Sequence, residues 1–211
     1  MRENYYTLKS FGTDEIIISK SRFIAHCARA ETEEEAITFI NKIKKEHHSA
    51  THNCSAYLIG EHDQIQKAND DGEPSGTAGV PMLEVLKKQH LKDAVVVVTR
   101  YFGGIKLGAG GLVRAYGKAT TVGIEAATVV ERRLHSLMKV SVSYTWLGKV
   151  ENAIRNSSYI LDNIEYTDDV DFYTFVPKEE VEDFTNWIIE MTNGQCKVNC
   201  NKQEFLEFDK Q

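Results

Sequence analysis

Five glycines fall within nine positions, Gly103 to Gly111, and three cations, Arg100, Lys106 and Arg114, are interleaved among them. Glycines at this density let a backbone take positive φ and let a ligand come close to the amides. The stretch runs from an apolar segment, Val95–Val98, into a helix-compatible one, so free N–H groups and a helix dipole would face an anion there. Arg114 falls in or near the first helical turn, where a cation is disfavoured by roughly 0.3–1 kcal/mol. An anion held between that terminus, Lys106 and Arg100 would remove the penalty. Tyr101 and Phe102 are either stacking faces for a base or members of the core. The candidate anion- or nucleic-acid-binding set is Arg100, Tyr101, Phe102, Gly103, Gly104, Lys106, Gly108, Gly110, Gly111 and Arg114. The plainer alternative is a tight strand-to-helix turn whose glycines serve packing alone. Neither named phosphate motif is present, since Val113 stands where the last glycine of G-x-G-x-x-G belongs and no G-x-x-x-x-G-K-[ST] occurs.

A second loop, Asp70 to Gly79, offers three carboxylates (Asp70, Asp71, Glu73) and two hydroxyls (Ser75, Thr77). The acids either hold Mg²⁺ or serve as base and acid, with the hydroxyls on a phosphate, or they pair internally. In the internal arrangement Asp71-Gly72 is a turn and Glu73 the partner of Arg100 or Arg114. EF-hand spacing is not met, and no cofactor is expected. His47, His48, His52 and Cys54 resemble a metal cluster, and alternation puts His52 and Cys54 on one strand face. No fourth ligand or C-x-x-C partner has suitable spacing, so no metal site is expected; His47 and His48 complement a helix end instead. Cys196 and Cys200 read as packing residues, and no G-x-S-x-G elbow appears.

Composition narrows the classes. At 42% hydrophobic and 27% charged residues, the chain is of ordinary soluble globular type. No apolar run reaches the length of a membrane span, and Met1-Arg2-Glu3-Asn4 does not open a signal peptide. Four scattered cysteines do not suggest a disulfide framework, which makes a reducing cytoplasm the expected address. The net charge of −6 is unevenly distributed. Up to Leu134 there are eighteen basic against seventeen acidic residues, and beyond it seven against fourteen. Between Lys87 and Lys118 seven cations face one acid, Asp93. A local positive field therefore coincides with the glycine-rich stretch, while the bulk acidity argues against indiscriminate nucleic-acid binding.

The elements that must carry these loops follow from periodicity. Phe11-Gly12-Thr13-Asp14 reads as a turn, and Ile16–Ile18 and Phe23–Cys27 as neighbouring strands. Thr32 and Glu35 form a capping box opening a helix whose buried stripe includes Ala36, Ile37, Ile40 and Ile43. Strands over 54–59 and 65–68 follow, then a helix from Pro81 to about His90. Ala94–Val98 is apolar throughout, as in a strand covered on both faces. A long helix spans about Gly110 to Val129, with Ala115, Ala119, Gly123 and Ala126 allowing close packing. A domain boundary is expected near Glu131-Arg132-Arg133, giving domains 1–134 and 135–211. The second reads strand (137–144), helix (147–156), strand (159–166), strand (170–176), helix (178–191), strand (197–208), a βαββαβ, ferredoxin-like order.

Val95-Val96-Val97-Val98-Thr99-Arg100-Tyr101-Phe102-Gly103-Gly104-Ile105-Lys106-Leu107-Gly108 resembles the signature of the IMPACT family, bacterial YigZ type. Asp70-Asp71-Gly72-Glu73-Pro74-Ser75-Gly76-Thr77-Ala78-Gly79 matches that family's other hallmark, and His52-Asn53-Cys54 also fits. The resemblance covers nearly the whole chain. It implies an α+β protein of two domains, an N-terminal ribosomal-protein-like domain with a left-handed βαβ crossover and a C-terminal ferredoxin-like domain, both resembling domains of elongation factor G. Eukaryotic relatives carry an extra N-terminal interaction domain and restrain a translation-initiation kinase through a partner protein. This chain begins at the shared domain, so that role is not expected of it. For bacterial members the resemblance implies a link to RNA or translation. The leading expectation is a translation-associated regulatory protein that binds RNA or the ribosome. The others are an enzyme or binding protein for a small phosphorylated ligand, and a protein-interaction module; no membrane partner is expected.

Overall fold

Four consecutive valines, Val95 to Val98, are wholly buried at the centre of β6 (Ala94–Tyr101), and the first half of the chain is layered around that strand. In the computed structural model, which describes residues 4–210, Tyr5–Glu131 and Arg132–Glu207 form two separate compact units. Met1, Arg2 and Glu3, read above for the lack of a leader, lie outside the described residues. After β1 (Tyr5–Leu8), the sheet of the first unit has the order β2-β3-β6-β4-β5. Its strands are β2 (Gly12–Ile18), β3 (Ser21–Arg29), β6, β4 (His52–Ile59) and β5 (Ile65–Asn69). β6 is antiparallel to both β3 and β4, so those two run parallel to each other and are joined by α1 (Glu33–Glu46).

One face of the sheet is covered by α1, with Ala30, Ala36, Tyr57, Ile59 and Val95 in contact. The other lies under α2 (Gly79–Lys88) and α3 (Gly108–Ala127). There Phe23, Ala25, Cys54, Ala56, Val96 and Val98 meet Met82, Leu86, Ala115, Tyr116 and Ala119 in the main core. Covering on both faces explains why β6 reads as an unbroken apolar run. The capping box on α1 forms with a small shift. Thr32 Oγ1 accepts from Glu35 N–H at 3.2 Å, while the Glu35 carboxylate accepts from Glu31 N–H rather than from that of Thr32.

The second unit contains most of β7 (Val129–Val142), then α4 (Leu147–Arg155), β8 (Ile160–Tyr166), β9 (Val170–Pro177), α5 (Val181–Met191) and β10 (Cys196–Asp209). β7 pairs with β9 and β10, and β9 with β8. That is the βαββαβ order expected, so the protein is α+β. Val150, Ile154, Phe184 and Ile188 of the helices meet Val140, Val142 and Phe172 of the sheet. Both helices are preceded by a short 3-10 turn, and α5 therefore starts at Val181 rather than at Lys178.

One local expectation fails. Gly12-Thr13-Asp14 is not a turn but the start of β2, and the reversal comes at Ser19-Lys20, both at positive φ (47° and 63°). Two consecutive left-handed residues make the tight hairpin that suits twisted strands. The glycine at 12 serves a different need: a Cβ there would lie 2.1 Å from the backbone nitrogen of Ala127, at the end of α3. Gly12→Ala must push strand and helix apart, at a cost of about 2 kcal/mol or more. Urea denaturation should show that loss, and an unchanged midpoint would contradict the close approach.

Candidate functional site

Strand alternation puts His52 and Cys54 of β4 and Arg100 of β6 on the face beneath α2 and α3, with His52 directly opposite Arg100 in the register. The loop between β5 and α2 folds over them because its acids are tied down one by one. Asp70 accepts hydrogen bonds from the N–H groups of Gly76, Ala78 and Gly79 at 2.8, 3.0 and 2.8 Å, and so also caps α2. Asp71, at φ 46°, pairs with Lys44 of α1 at 2.6 Å and accepts from Asn53 N–H at 2.7 Å. Its carbonyl accepts from His52 Nδ1 at 2.9 Å. Thr77 Oγ1 donates to Pro74 O at 2.6 Å, and Ser75 stands exposed.

These anchors deliver Glu73 to the interior. Its Oε1 accepts from Arg100 Nη1 at 2.6 Å and from Tyr116 Oη of α3 at 2.8 Å, and Oε2 lies 3.8 Å from His52 Nε2. Glu73 is 8% exposed and Arg100 5%. An ion pair taken this far out of water is held only if its remaining polar atoms find partners. Arg100 Nη2 meets Ser21 Oγ at 3.4 Å, and the guanidinium lies over the rings of Phe23 (5.3 Å) and Phe102 (5.4 Å). Its Nε has no acceptor among the described residues.

The glycine-rich stretch forms the opposite wall. A Cβ on Gly103 would sit 2.0 Å from the Lys20 carbonyl group, and Gly103 N–H donates to Ser21 Oγ at 3.1 Å. Gly104 and Gly108 have φ of 84° and 67°, while Gly110 and Gly111 lie inside α3. Between the walls is a cavity of about 440 Å³ lined by Thr51, His52, Glu73, Arg100, Phe102, Lys106 and the first turn of α3. The two loops singled out by sequence thus meet. Lys106 is exposed at this cavity and makes no ion pair among the described residues.

Two expected members lie elsewhere. Tyr101 follows Arg100 along the strand and so faces α1, where its hydroxyl is 3.0 Å from His47 Nδ1 and Arg22 lies over its ring. Arg114 is the seventh residue of α3, two residues further along than expected because the helix starts at Gly108. It lines a separate groove of about 500 Å³ between α2 and α3, together with Lys88 and Lys118. Arg100 is not a free cation either, because Glu73 takes its charge, and only its Nε is left without an acceptor among the described residues. The place of His52 beside Glu73 is not legible in the sequence alone, although the register opposite Arg100 follows once the strands are paired. Nor is the role of Tyr116, whose hydroxyl reaches Glu73 from a helix with no distinguishing pattern at that position.

The nearby titrating groups fit this geometry. Burial would raise Asp70, but its three backbone donors outweigh that and hold it below the usual carboxylate range. Burial opposes Asp71 in the same way and is outweighed by Lys44, the Asn53 N–H and His52. Burial pushes the Cys54 thiol up to about 12 and keeps the Tyr116 phenol protonated far above its ordinary range, so neither is an activated nucleophile. On the α1 face, burial and then His47 lower His26 to about 4. Among the described residues no three histidine, cysteine or acidic side chains gather as metal ligands. All four cysteines are free, and no described helix is long and apolar enough to cross a membrane.

Comparison with known proteins follows the same division. The family model of the Impact N-terminal domain matches residues 19–124, which include every cavity residue, and a domain of unknown function, DUF1949, matches residues 140–195. The chain is 58% identical over 207 residues to the IMPACT family member YvyE of Bacillus subtilis, covering 98% of this chain and 95% of that protein. It is 32% identical over 183 residues to YigZ of Escherichia coli, covering 86% and 90%. A crystal structure titled as a hypothetical protein superposes with a TM-score of 0.61 at 30% identity, over 96% of this chain and 99% of the other.

Removing the Glu73 carboxylate leaves a buried guanidinium without its counter-charge. Glu73→Ala should therefore cost about 3–5 kcal/mol in chemical denaturation; a loss below about 1 kcal/mol would mean the pair is incidental. Acid should act through Asp70 and Asp71. Because their folded values lie below the ordinary 3.8, the stability they add is complete above that pH and is lost as pH falls further, through the folded values. An acid titration of the thermal midpoint should fall most steeply below pH 3.8, and Asp70→Asn should flatten that limb.

Proposed function

This chain belongs to the IMPACT family, and from that membership and the charge arrangement around α3 we propose that it is a translation-associated protein that binds RNA. The observation that carries the reading is a series of unneutralised cations along one helix. Lys106 precedes α3, Arg114 and Lys118 lie on its outer side, and Lys88 faces them from α2. None of the four makes an ion pair among the described residues, in a chain whose net charge is −6.

Physical chemistry disfavours this layout unless an anion completes it. Arg114 and Lys118 are spaced i,i+4, where like charges repel by roughly 0.2–0.5 kcal/mol. Arg114, the seventh of the helix's 20 residues, also lies in the half nearer its positive pole, with Lys118 just past the middle. The Arg114 guanidinium turns back toward the start of α3, within 3.7 Å of where a Cβ on Gly110 would be. A polyanionic backbone running along the α2–α3 groove toward that helix start would offset both repulsions. Phe102, 46% exposed beside Lys106, supplies an aromatic face for an unpaired base. The link to translation rests on the family alone; the affinity for RNA rests on the cations.

Phosphate contacts of this kind release counterions. The affinity for a short single-stranded RNA, followed by fluorescence anisotropy, should therefore fall with salt at a slope of about −0.7 per phosphate contacted. Replacing Arg114 and Lys118 together by alanine should weaken binding and reduce the slope's magnitude by about 1.4. Lys149→Ala, in the other unit, should leave both unchanged. Affinity that ignores salt, or survives the double substitution, would defeat the reading.

A further inference from the structure

The cavity between the two loops has a chemistry distinct from that of the α2–α3 groove. We infer that it is a binding site for a nucleoside carrying a phosphate monoester, either a free nucleoside monophosphate or the phosphorylated end of an RNA strand. The strand-end form extends the RNA-binding reading and rests on it. The free-nucleotide form does not.

Two independent features border this space. The first is the start of α3, a 20-residue helix whose first turn has no acidic residue and whose N-cap, Leu107, gives no side-chain hydrogen bond. Its leading N–H groups are therefore left for a ligand, and the first residues, Gly108 and Ala109, line the cavity. Gly108 is at φ 67°, and a Cβ there would meet nothing within 4 Å, so the approach to the amides is open. The second is Arg100. It lines the same cavity at 5% exposure, and its Nε has no acceptor among the described residues. A buried donor of this kind normally has a partner.

The charges around the cavity favour an anion. Glu73 is neutralised by Arg100 at 2.6 Å and also accepts from Tyr116. His52 commits Nδ1 to the Asp71 carbonyl, which leaves Nε2 as the edge turned toward Glu73 and the cavity. Lys106 then remains as the cation without an ion pair, next to the positive pole of α3. A monoester dianion takes fuller advantage of that pairing than a diester does. Phe102 at the rim, 46% exposed with the Arg100 guanidinium over its ring at 5.4 Å, offers an aromatic face for a base to stack on. At about 440 Å³ the cavity is within the range of small-ligand sites.

Isothermal titration of the full chain with AMP, adenosine and inorganic phosphate tests the site. AMP should bind at least tenfold tighter than adenosine, and Lys106→Ala should weaken AMP at least fivefold. Ala109→Asp places a carboxylate in the first turn. It should abolish AMP binding while the thermal midpoint holds or rises, which separates loss of the site from loss of the fold. Two short RNAs differing only in a terminal phosphate distinguish the sources. At least tenfold tighter binding of the phosphorylated strand assigns the site to a strand end. Equal binding of the two strands, with AMP still bound, assigns it to the free nucleotide. AMP and adenosine of equal affinity, or Ala109→Asp binding AMP as well as the wild type, would overturn the proposal. In Arg114→Ala/Lys118→Ala, loss of both RNAs with AMP affinity intact would show that the groove and the cavity are separate sites. Equal binding of the two RNAs without any AMP binding would refute the cavity and leave the groove standing. AMP binding without RNA binding would do the reverse.

Discussion

A carboxylate and a guanidinium largely withdrawn from water, Glu73 and Arg100, hold the first unit's working end together. Glu73 comes from the loop before α2, Arg100 from the central strand, and Tyr116, which donates to the same oxygen, from α3. Three elements distant in sequence thus converge on one atom. Separating charges at this depth is costly, because each would lose its partner without regaining water. The pair therefore dictates geometry: the loop must close, the strand must end where it does, and α3 must begin within reach. The two aromatic rings against Arg100 add attraction without adding charge.

Every acid of the Asp70–Gly79 loop is consumed in building that arrangement. Asp70 holds backbone amides, Asp71 holds Lys44 and the chain at Asn53, and Glu73 holds Arg100. None is left over to neutralise Lys106, Arg114 or Lys118. An acidic loop facing a basic stretch invites the idea of mutual cancellation, but the structure divides the labour differently. The acids shape the site, and the outer cations stay available. A loop with three carboxylates is for that reason adjacent to an electropositive surface.

Much of this was legible in the sequence, for identifiable reasons. β6 announced itself through four valines that a doubly covered strand buries, and α1 through Thr32, Glu35 and a stripe at helical spacing, of which Ala36 and Ile43 are buried while Ile37 is exposed. The two loops stood out because glycine, aspartate and arginine are costly to place together without a purpose. What escaped depended on contacts between distant residues. Tyr101 and Phe102 are neighbours in sequence, yet the alternation of a strand sends one to α1 and the other to the cavity. Arg114 was expected too close to the helix start because α3 begins at Gly108, not Gly110. Gly12 reads as a turn because glycine signals both a reversal and a close approach, and only the neighbour, Ala127, tells them apart.

The same ambiguity explains how one helix can serve both packing and recognition. A Cβ on Gly123 would come within 2.6 Å of the Ala25 side chain, and Ala115 and Ala119 are fully buried. Small residues on the inner side of α3 bring its axis close to the sheet. Long cationic side chains on the outer side then stand clear of the core and need no internal partner. The tight Gly103 turn, pressed against Lys20, brings the helix start to the strand end with only five residues, 103–107, between the cavity's aromatic rim and the first amides. Lengthen that connection, or give Gly103 a side chain, and Phe102, Lys106 and the α3 terminus would no longer share one small volume. The glycines are therefore more than space-savers. They set the distance over which an aromatic face, a cation and a helix pole act on the same ligand.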